Sequence, residues 1–295
     1  MIKNLQIMEV GLRDGLQVVQ KEVSMELKLS IIDSLISSGV KNIQVASFVN
    51  PDRIPQMAQA DELVKRLPIK KDIQFSALIF NQKGIYRAIS SGLKKIETSI
   101  SLCEKYSRKN MRMSVSESIS NLKDIVLTSK KNEMNLRAGL QCVWSTNYKG
   151  SLDQDNILRT LSEIMEMDVL RVSLCDTYGM ARPYDVSSLL EKIYETFPEI
   201  KISMHLHNTN GLGLINLSEA LKFDIREIDT SMGGIGGSPF IQKSTGNIAT
   251  EDTIALLNKI GYSLEIDIRK ISKISRRLEK IIGSSYFSGS LYKTS

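Results

Sequence analysis

The sequence predicts one α/β domain folded as a closed (β/α)8 (TIM) barrel with extra C-terminal helices. Eight short apolar, β-branched runs have the length and composition of buried strands. Segments with helical spacing separate these runs, and alternating strands and helices imply parallel pairing with right-handed crossovers. Eight such units in about 235 residues fit a closed barrel better than an open sheet. The predicted strands are Leu5–Val10, Asn42–Phe48, Ile73–Ile79, Lys95–Ile100, Leu136–Val143, Val169–Leu174, Lys201–Leu206 and Glu227–Ser231.

The first connecting segment illustrates the helical pattern. Leu27, Ile31 and Leu35 recur four residues apart and precede Gly39, which is typical of a helix C-cap. From about residue 249 onward, apolar residues recur at helical spacing and predict helices that pack around the barrel. We therefore assign residues 1–285 to a single barrel domain, and expect Tyr286–Ser295 to form a loose tail.

Composition excludes several classes of protein. With 295 residues, 42% hydrophobic and 24% charged, the chain can bury a full core, so it is neither disordered nor a small disulfide scaffold. Its net charge of +6 arises from interleaved charges, which disfavours a nucleic-acid-binding arm or a polybasic membrane patch and suits an anionic ligand. Three cysteines without a CxxC pair, and no signal peptide or long apolar stretch, lead us to expect a cytoplasmic protein that does not contact a membrane.

Polar residues gather where the predicted strands end, which is where barrels of this kind carry reactive groups. Arg13 and Asp14 follow strand one, and Asp176 follows strand six. His205 and His207 close strand seven, and strand eight runs into a glycine-rich loop that is followed by Asn247. We expect these side chains to meet at one end of the barrel.

The two histidines predict a metal site. They are the only histidines in the chain, and their i, i+2 spacing places both imidazoles on one face of a strand. Two imidazoles with a carboxylate and an amide oxygen suit Mg²⁺, Mn²⁺, Co²⁺ or Zn²⁺. The alternative is that His205 and His207 only form hydrogen bonds with their neighbours.

Two neighbouring features also have two interpretations each. Arg13 and Asp14 are either a solvated ion pair or an oxyanion clamp with a metal carboxylate. The loop at residues 233–237 lacks the Lys of a P-loop and the spacing of a dinucleotide-binding turn, so a mobile active-site loop is favoured over a phosphate cradle.

Several ordered motifs resemble the 3-hydroxy-3-methylglutaryl-CoA lyase family, and the resemblance spans nearly the whole chain. They are Glu9-Val-Gly-Leu-Arg-Asp-Gly-Leu-Gln17, Ala46-Ser-Phe-Val-Asn-Pro51 with Ile54-Pro-Gln-Met57, Ser107-Arg-Lys-Asn110, Ser173-Leu-Cys-Asp-Thr-Tyr-Gly179, His205-Leu-His-Asn-Thr209 and Gly246-Asn-Ile-Ala-Thr-Glu-Asp252. The resemblance implies a metal-dependent carbon–carbon lyase that cleaves a 3-hydroxyacyl-CoA through an enolate. It also implies a homodimer.

The resemblance further assigns roles to residues. It places the metal ligands at Asp14, His205, His207 and Asn247, with Mg²⁺ or Mn²⁺ ahead of Zn²⁺ or Co²⁺. It makes Arg13 the arginine that polarises the substrate, and gives supporting positions to Gln17, Asp176 and Glu251. It brings the acyl-CoA near Ser107, Arg108, Lys109 and Asn110, where Arg108 and Lys109 could face the CoA phosphates.

Two positions depart from the family pattern. Gln44 replaces a glutamate of the strand-two motif, and Ser238 replaces a cysteine of the glycine-loop motif. Neither replacement is an effective proton-transfer group at neutral pH, and losing one general acid or base typically costs about 10²- to 10⁴-fold in rate. Proton transfer could instead fall to Asp176, His205, Cys175 or a water molecule.

Three functions follow from this pattern. The first is metal-assisted aldol or Claisen chemistry on a related acyl thioester or 2-oxo acid, in the direction of cleavage or of condensation. The second is cleavage of 3-hydroxy-3-methylglutaryl-CoA itself. The third is a barrel that binds a ligand or a partner without turnover. A synthase-type Gly-Glu-Arg-Xaa-Gly-Asn motif is not found near the glycine loop, which places the chain closer to the lyases than to the condensing enzymes.

Overall fold

The protein is described by a computed structural model, which covers residues 5–144, 153–237 and 245–294. Eight parallel strands form a closed barrel in the order β1 to β8, so the predicted fold class is confirmed. The first and last strands pair directly, Gln6 with Glu227 and Glu9 with Thr230. The strands are β1 Gln6–Glu9, β2 Asn42–Ser47, β3 Gln74–Leu78, β4 Lys95–Ser101, β5 Asn135–Gln141, β6 Arg171–Asp176, β7 Lys201–Leu206 and β8 Glu227–Thr230.

Ten α-helices of the described chain surround the barrel. They are α1 Met25–Ser37, α2 Ala60–Lys65, α3 Gln82–Ser90, α4 Glu104–Met111, α5 Val115–Lys131, α6 Gln154–Glu166, α7 Pro183–Thr196, α8 Gly213–Ala220, α9 Thr250–Lys259 and α10 Ile268–Ile282. The apolar core lies between strands and helices in two large clusters. None of these helices is long and apolar enough to cross a membrane.

Helix α1 shows how local sequence fixes an element. The Ser24 hydroxyl accepts a hydrogen bond from the Leu27 amide at 3.2 Å and caps the N-terminus. The chain leaves the helix at Gly39, which has φ +98° and whose Cβ, if present, would lie 2.1 Å from the Glu265 carbonyl oxygen. Glycine is therefore required at this turn both for its backbone conformation and for the close approach of the chain ahead of α10.

The segment after α10 corrects the expectation of a loose tail. Tyr292 is fully buried, and its hydroxyl donates to a Glu279 carboxylate oxygen at 2.8 Å. The amides of Ser290 and Leu291 donate to the Asp252 carboxylate at 2.9 and 2.7 Å. Residues 286–294 thus pack against α9 and α10, because two aromatic side chains, Phe287 and Tyr292, anchor them in the core.

The same segment holds the start of the glycine loop. The Gly289 amide donates to the Gly233 carbonyl at 2.9 Å, and the Ser288 hydroxyl donates to the Gly234 carbonyl at 3.0 Å. The loop predicted to be mobile is therefore bound at its first residues and buried from Gly233 to Gly236. Its continuation at 238–244 lies outside the described residues.

Candidate metal centre and acyl-CoA cavity

A single π-helical turn, Gly11–Gly15, follows β1 and positions the first site residues. Its amides converge on the Val10 carbonyl, from Asp14 at 2.7 Å to Gly15 at 3.4 Å. Such turns are rare and concentrate at functional sites. This turn presents both Arg13 and Asp14 to the cavity at the carboxyl end of the barrel.

Asp14, His205 and His207 form a compact ligand cluster. One donor atom from each lies within 4.8 Å of the others. The two histidine Nε2 atoms are 3.3 Å apart, and they lie 3.8 and 4.0 Å from an Asp14 carboxylate oxygen. The strand geometry predicted from the His-x-His spacing therefore brings both imidazoles and the carboxylate to one point.

Asn247 completes this cluster. It forms an isolated β-bridge with His207, and its side-chain amide donates to Asp14 at 2.9 Å. Its Oδ1 atom is buried and has no hydrogen-bond partner among the described residues. A buried amide oxygen without a partner, beside two imidazoles and a carboxylate, fits a divalent cation that accepts nitrogen and oxygen ligands.

The electrostatics of the cluster favour the ligand forms of these side chains. Burial works to raise the pKa of Asp14, but the Arg13 guanidinium, both histidines and the Asn247 amide hold that pKa below its usual value. Burial, the neighbouring His205 and Arg13 lower the pKa of His207 to about 4, against the opposing pull of Asp14. At neutral pH the carboxylate is therefore ionised and His207 is neutral, as metal binding requires.

A charged network beneath the cluster orients His205. Its Nδ1 atom lies 3.1 Å from an Asp229 carboxylate oxygen. Arg137 donates to both oxygens of Asp229, at 2.7 and 2.9 Å, and also to Glu97 and Glu227. A histidine whose Nδ1–H is held by a carboxylate directs its Nε2 lone pair outward, which is the usual arrangement of a metal-bound imidazole.

The sequence analysis did not identify this network. Glu227 and Asp229 alternate along β8, and Arg137 occupies an inward position of β5. Charged residues at every second position of a predicted buried strand are the signal that could have revealed it, because such residues face the barrel interior.

Arg13 is fixed between two partners. Its Nε–H donates to the Gln44 side-chain oxygen, and an Nη–H donates to Asp14. Gln44 is fully buried on β2, directly before a register irregularity in the pairing with β3. Its Nε2 atom has no hydrogen-bond partner among the described residues. Gln44 thus keeps one of the contacts that a glutamate would make here and leaves an amide group unsatisfied.

A cavity of about 860 Å³ opens above the cluster and reaches into the barrel. Arg13, Asp14 and both histidines line it, together with the predicted Gln17. Its outer part carries Arg53 and Lys83, which the sequence analysis missed. The volume and these cations suit a large anionic ligand.

Residues 107–110, which were predicted to lie near the acyl-CoA, belong to α4, and their side chains differ in burial and surroundings. Asn110 lines the cavity, and its carbonyl accepts from Arg53 at 3.2 Å. Ser107 is fully buried, and its hydroxyl donates to the Met113 carbonyl at 2.8 Å. Arg108 is exposed and pairs with Glu104 at 2.6 Å, and Lys109 is also exposed. Ser107 thus shapes the end of α4, while Asn110 faces the cavity.

Two supporting residues hold backbone around the site. Asp176 is fully buried, and its carboxylate accepts from the amides of Met180 and Ala181 at 3.0 and 3.1 Å. Glu251 accepts from the Gly233 amide at 2.8 Å and from the Ser275 hydroxyl at 2.5 Å. Both carboxylates order loops that border the cluster.

Cys175, Asp176 and Ser238 are the other residues considered for proton transfer, and they differ in position and in pKa. Cys175 lines the cavity and lies beside His205 in the strand register. Burial raises the pKa of its thiol well above the ordinary value, so the group is protonated at neutral pH. Burial also raises the pKa of Asp176 to about 6. Ser238 lies outside the described residues.

Comparison with known proteins settles the family. Residues 4–278 match the HMGL-like family. The chain belongs to this family. It is 32% identical to the hydroxymethylglutaryl-CoA lyase of Bacillus subtilis over 95% of this chain and 94% of that protein. It is 29% identical to the 3-hydroxy-3-isohexenylglutaryl-CoA/hydroxymethylglutaryl-CoA lyase of Pseudomonas aeruginosa, over 96% and 94%.

Solved structures agree with this assignment. The HMG-CoA lyase of Bacillus subtilis superimposes with a TM-score of 0.93 at 31% identity, covering 99% of this chain and 97% of that one. An HMG-CoA lyase from Acinetobacter baumannii, in complex with coenzyme A and 3-methylmalate, superimposes with a TM-score of 0.91 at 28% identity, covering 98% and 94%. The predictions of the family and of a carbon–carbon lyase are confirmed.

Proposed function

We propose that this HMGL-like protein cleaves 3-hydroxy-3-methylglutaryl-CoA, or a closely related 3-hydroxyacyl-CoA, to acetyl-CoA and a 3-oxo acid. The observation that carries the proposal is the convergence of the Asp14, His205 and His207 side chains with Arg13 on one cavity, with Asn247 hydrogen-bonded to Asp14 behind them. The relatives named hydroxymethylglutaryl-CoA lyases support the substrate class.

Asp14, His205, His207 and Asn247 are the residues that would hold the cation, with Mg²⁺ or Mn²⁺ as the first choice and Zn²⁺ or Co²⁺ as the alternatives. The ligand set contains nitrogen and oxygen donors without a thiolate, which suits these ions. When bound, the cation acidifies the substrate hydroxyl and stabilises negative charge on oxygen.

The reaction breaks one carbon–carbon bond without any redox change. The C3 hydroxyl loses its proton, its oxygen forms the carbonyl of the 3-oxo acid, and the C2–C3 bond electrons pass to C2 as the enolate of acetyl-CoA. A proton returned to C2 then completes acetyl-CoA. Arg13, held by Gln44 and Asp14, places its guanidinium where it can stabilise the enolate oxygen.

Ser238 and Cys175 are proposed to lie near the reacting carbon, Ser238 as a much weaker proton donor than the cysteine it replaces and Cys175 as the proposed donor. Ser238 occupies the place that the family pattern gives to a cysteine. Cys175 is the thiol that lines the cavity next to His205, and it is protonated at neutral pH. Gln17, on the cavity wall, is proposed to contact the substrate. Asp176 and Glu251 are proposed as positioning residues, since their carboxylates bind backbone amides.

The carrier of the acyl group is proposed to be coenzyme A. Arg53 and Lys83 on the cavity and the exposed Arg108 and Lys109 on α4 provide positive charge for its phosphates, and Asn110 provides a polar contact on the wall. The net charge of +6 has the sign that such an anionic substrate requires.

Turnover of the purified protein tests the proposal. The protein is loaded with Mg²⁺ or Mn²⁺ and incubated with 3-hydroxy-3-methylglutaryl-CoA, and acetyl-CoA release is followed by mass spectrometry beside an active lyase. We expect release by the wild type and loss of both bound metal and release in His207→Ala, with the circular dichroism spectrum unchanged. A metal content equal to that of the wild type in His207→Ala would refute the metal site.

We further propose a cytoplasmic homodimer. The described cysteines Cys103, Cys142 and Cys175 are all free thiols, which suits a reducing compartment. Met180, Tyr184 and Ile215 are large apolar side chains that are more than half exposed, and they provide apolar surface for a second copy. Sedimentation equilibrium measures the mass, and a monomer at micromolar concentration would refute the dimer.

A further inference from the structure

Residues 48–54, which follow β2, form one wall of the cavity. The chain makes a short turn here, because the Asn50 carbonyl accepts from the Arg53 amide at 3.1 Å and the Asn50 side chain accepts from the Asp52 amide at 2.9 Å. Strand β2 ends at Ser47, so strand pairing does not fix most of this turn. We call residues 48–54 the β2 wall, and side chains join it to two neighbouring helices.

Arg87 on α3 contacts the start of the β2 wall in two ways. Its Nη1–H donates to the Val49 carbonyl at 3.1 Å, and its Cζ atom lies 5.2 Å from the Phe48 ring centroid, which is within cation–π range. Phe48, Val49 and Arg87 all line the cavity. The guanidinium therefore connects a helix to the first two residues of the wall.

A carboxylate on a third element fixes this guanidinium. The Arg87 Nε atom lies 3.1 Å from both carboxylate oxygens of Asp61 on α2, and an Nη2–H also donates to Asp61. These hydrogen bonds hold the pKa of the Asp61 carboxyl below its usual value, so the pair is charged at neutral pH. Arg87 thus links α2, α3 and the β2 wall through one planar group, whose side chain is 24% exposed.

These contacts use properties that arginine combines and lysine does not. The fork of N–H groups binds a carboxylate through two nitrogens, the planar face stacks on an aromatic ring, and a further N–H reaches a carbonyl. Lysine has a single ammonium group on a flexible stem, which cannot make all three contacts in one position. Arg87 therefore acts on the β2 wall through its shape as well as through its charge.

The far end of the β2 wall is attached separately. An Arg53 Nη2–H donates to the Asn110 carbonyl of α4 at 3.2 Å, so the wall spans from α3 at its start to α4 at its end. The ligand cluster lies on other elements, at Asp14 after β1 and at the two histidines of the β7 end. Displacement of the wall should therefore change substrate binding more than the chemical step.

We propose that Arg87 is a positioning residue that holds the β2 wall against the carrier portion of the acyl-CoA substrate. The inference rests on the proposed 3-hydroxyacyl-CoA lyase function and adds a residue that acts on binding from outside the ligand cluster. Loss of the Arg87 fork should raise KM for 3-hydroxy-3-methylglutaryl-CoA about tenfold and leave kcat within about twofold, since hydrogen bonds to charged groups have effects of this size.

Two substitutions of Arg87 separate positioning from simple attraction of an anion. Arg87→Gln removes both the charge and the fork and should raise KM about tenfold. Arg87→Lys keeps the positive charge on the cavity but lacks the fork, so a positioning role predicts that KM rises nearly as much. A residue that only attracts an anionic substrate would keep the wild-type KM in Arg87→Lys.

Substitution of Asp61 tests the same contacts with Arg87 in place. Asp61→Asn loosens the guanidinium and should raise KM by a smaller factor than Arg87→Gln. The double variant should equal Arg87→Gln alone, because both changes act through one set of contacts. Arg66→Gln is the matched control, since Arg66 pairs with Glu62 of the same helix at 3.6 Å and lies outside the described cavity, and its KM should equal that of the wild type.

Hydrogen–deuterium exchange measures the β2 wall without a ligand. Peptides that cover residues 48–54 should exchange about tenfold faster in Arg87→Gln and in Arg87→Lys than in the wild type, because a contact that limits local opening is lost. Peptides that cover β1 and β7 should exchange at the wild-type rate. This measurement depends on neither the substrate nor turnover.

The outcomes separate the two proposals. Wild-type exchange at residues 48–54 in Arg87→Gln, a wild-type KM in Arg87→Lys, or a fall of kcat equal to that of kcat/KM in Arg87→Gln overturns the positioning role. Faster exchange at residues 48–54 together with absence of turnover by the wild type refutes the lyase function, and leaves Arg87 established as the residue that holds the β2 wall.

Discussion

Asp229 and His205 form a carboxylate–imidazole pair in which an Asp229 oxygen lies 3.1 Å from the histidine Nδ1 atom. Arg137 donates two hydrogen bonds to the same carboxylate and is itself buried in the barrel interior. The orientation of one proposed metal ligand is thus set by an arginine that does not reach the metal cluster. The charged residues of the barrel interior therefore help to set the geometry of the proposed metal site.

Asp229→Asn should weaken metal binding while leaving the four proposed ligands in place. An amide can present its NH₂ group to Nδ1 and favour the wrong imidazole tautomer, and the loss of such partners typically costs about 10- to 100-fold in affinity. The measurement is Mn²⁺ titration by electron paramagnetic resonance. Glu227→Gln is the matched control because Glu227 also binds Arg137 but does not contact a histidine. Equal Mn²⁺ affinity in wild type and Asp229→Asn would show that the pair does not orient His205.

Gln44→Glu combined with Ser238→Cys should raise cleavage of 3-hydroxy-3-methylglutaryl-CoA. The introduced carboxylate would face the Nε–H of Arg13, where Gln44 now offers only an amide oxygen. The cysteine would supply a thiol of ordinary acidity, and a restored acid or base is worth about 10²- to 10⁴-fold. The measurement is kcat, and Gln44→Leu, which leaves Arg13 Nε unpaired, should lower it. If the double variant gains nothing, the two departures do not limit the rate and the difference lies in the substrate pocket.

Glu9→Gln should flatten the pH dependence of stability. Burial raises the pKa of Glu9 from 4.5 to about 7, although Thr250, Met232 and Gly11 donate hydrogen bonds to it. The folded protein then binds more protons here than the unfolded chain between pH 4.5 and 7, so this group's contribution to stability falls as the pH rises through that window. A shift of this size corresponds to about 3 kcal/mol.

Glutamine fits the hydrogen bonds at this position. Its oxygen can accept from the Gly11 and Met232 amides, and its NH₂ group can donate to the Thr250 hydroxyl. Urea unfolding in EDTA at about pH 5, 6, 7 and 8 measures the slope, with the exposed Glu62→Gln as the control. Glu251, whose pKa burial also raises, retains a slope of the same sign. Identical slopes in the wild type and Glu9→Gln would contradict the assignment.

Tyr292→Ala should destabilise the protein by about 3 kcal/mol, because it empties a fully buried aromatic site. Tyr292→Phe keeps the ring and removes only the hydrogen bond to Glu279, so it should cost about 1 kcal/mol. Thermal and urea unfolding measure both values. A loss below about 0.5 kcal/mol for the alanine variant would mean that the C-terminal segment contributes no packing.

The fold and the ligand cluster could be predicted from the sequence because both depend on short-range sequence patterns. Runs of apolar residues place the strands to within a few residues of their observed ends, and the parallel arrangement then carries His205 and Asp14 to the same end of the barrel. In a (β/α)8 barrel, the residues that follow the strands meet at the carboxyl end of the barrel. Residues far apart in the sequence can therefore be predicted to lie close together without knowledge of individual contacts.

Contacts that depend on barrel closure or on the direction of a side chain could not be predicted from the sequence. The bond between Arg13 and Gln44 joins residues 31 positions apart, and it requires the inward face of β2 to be known. The alternating Glu227 and Asp229 of β8 indicate charge in the barrel interior, but Arg137 lies between Leu136 and Ala138 in an apolar run, so its pairing with them is known only from the structure. The C-terminal segment lacks helical spacing, and its two buried aromatic residues do not form a periodic pattern.

The seam between β1 and β8 has a consequence for biosynthesis. Asp14 stands beside the first strand and Asn247 follows the last, and a hydrogen bond of 2.9 Å joins them across 233 positions of the chain. Until the ribosome has passed Asn247, just ahead of α9, the nascent polypeptide therefore lacks one of the proposed ligands. The complete set of proposed ligands therefore exists only after all eight strands have been synthesised, and a chain that ends before Asn247 lacks one of the four.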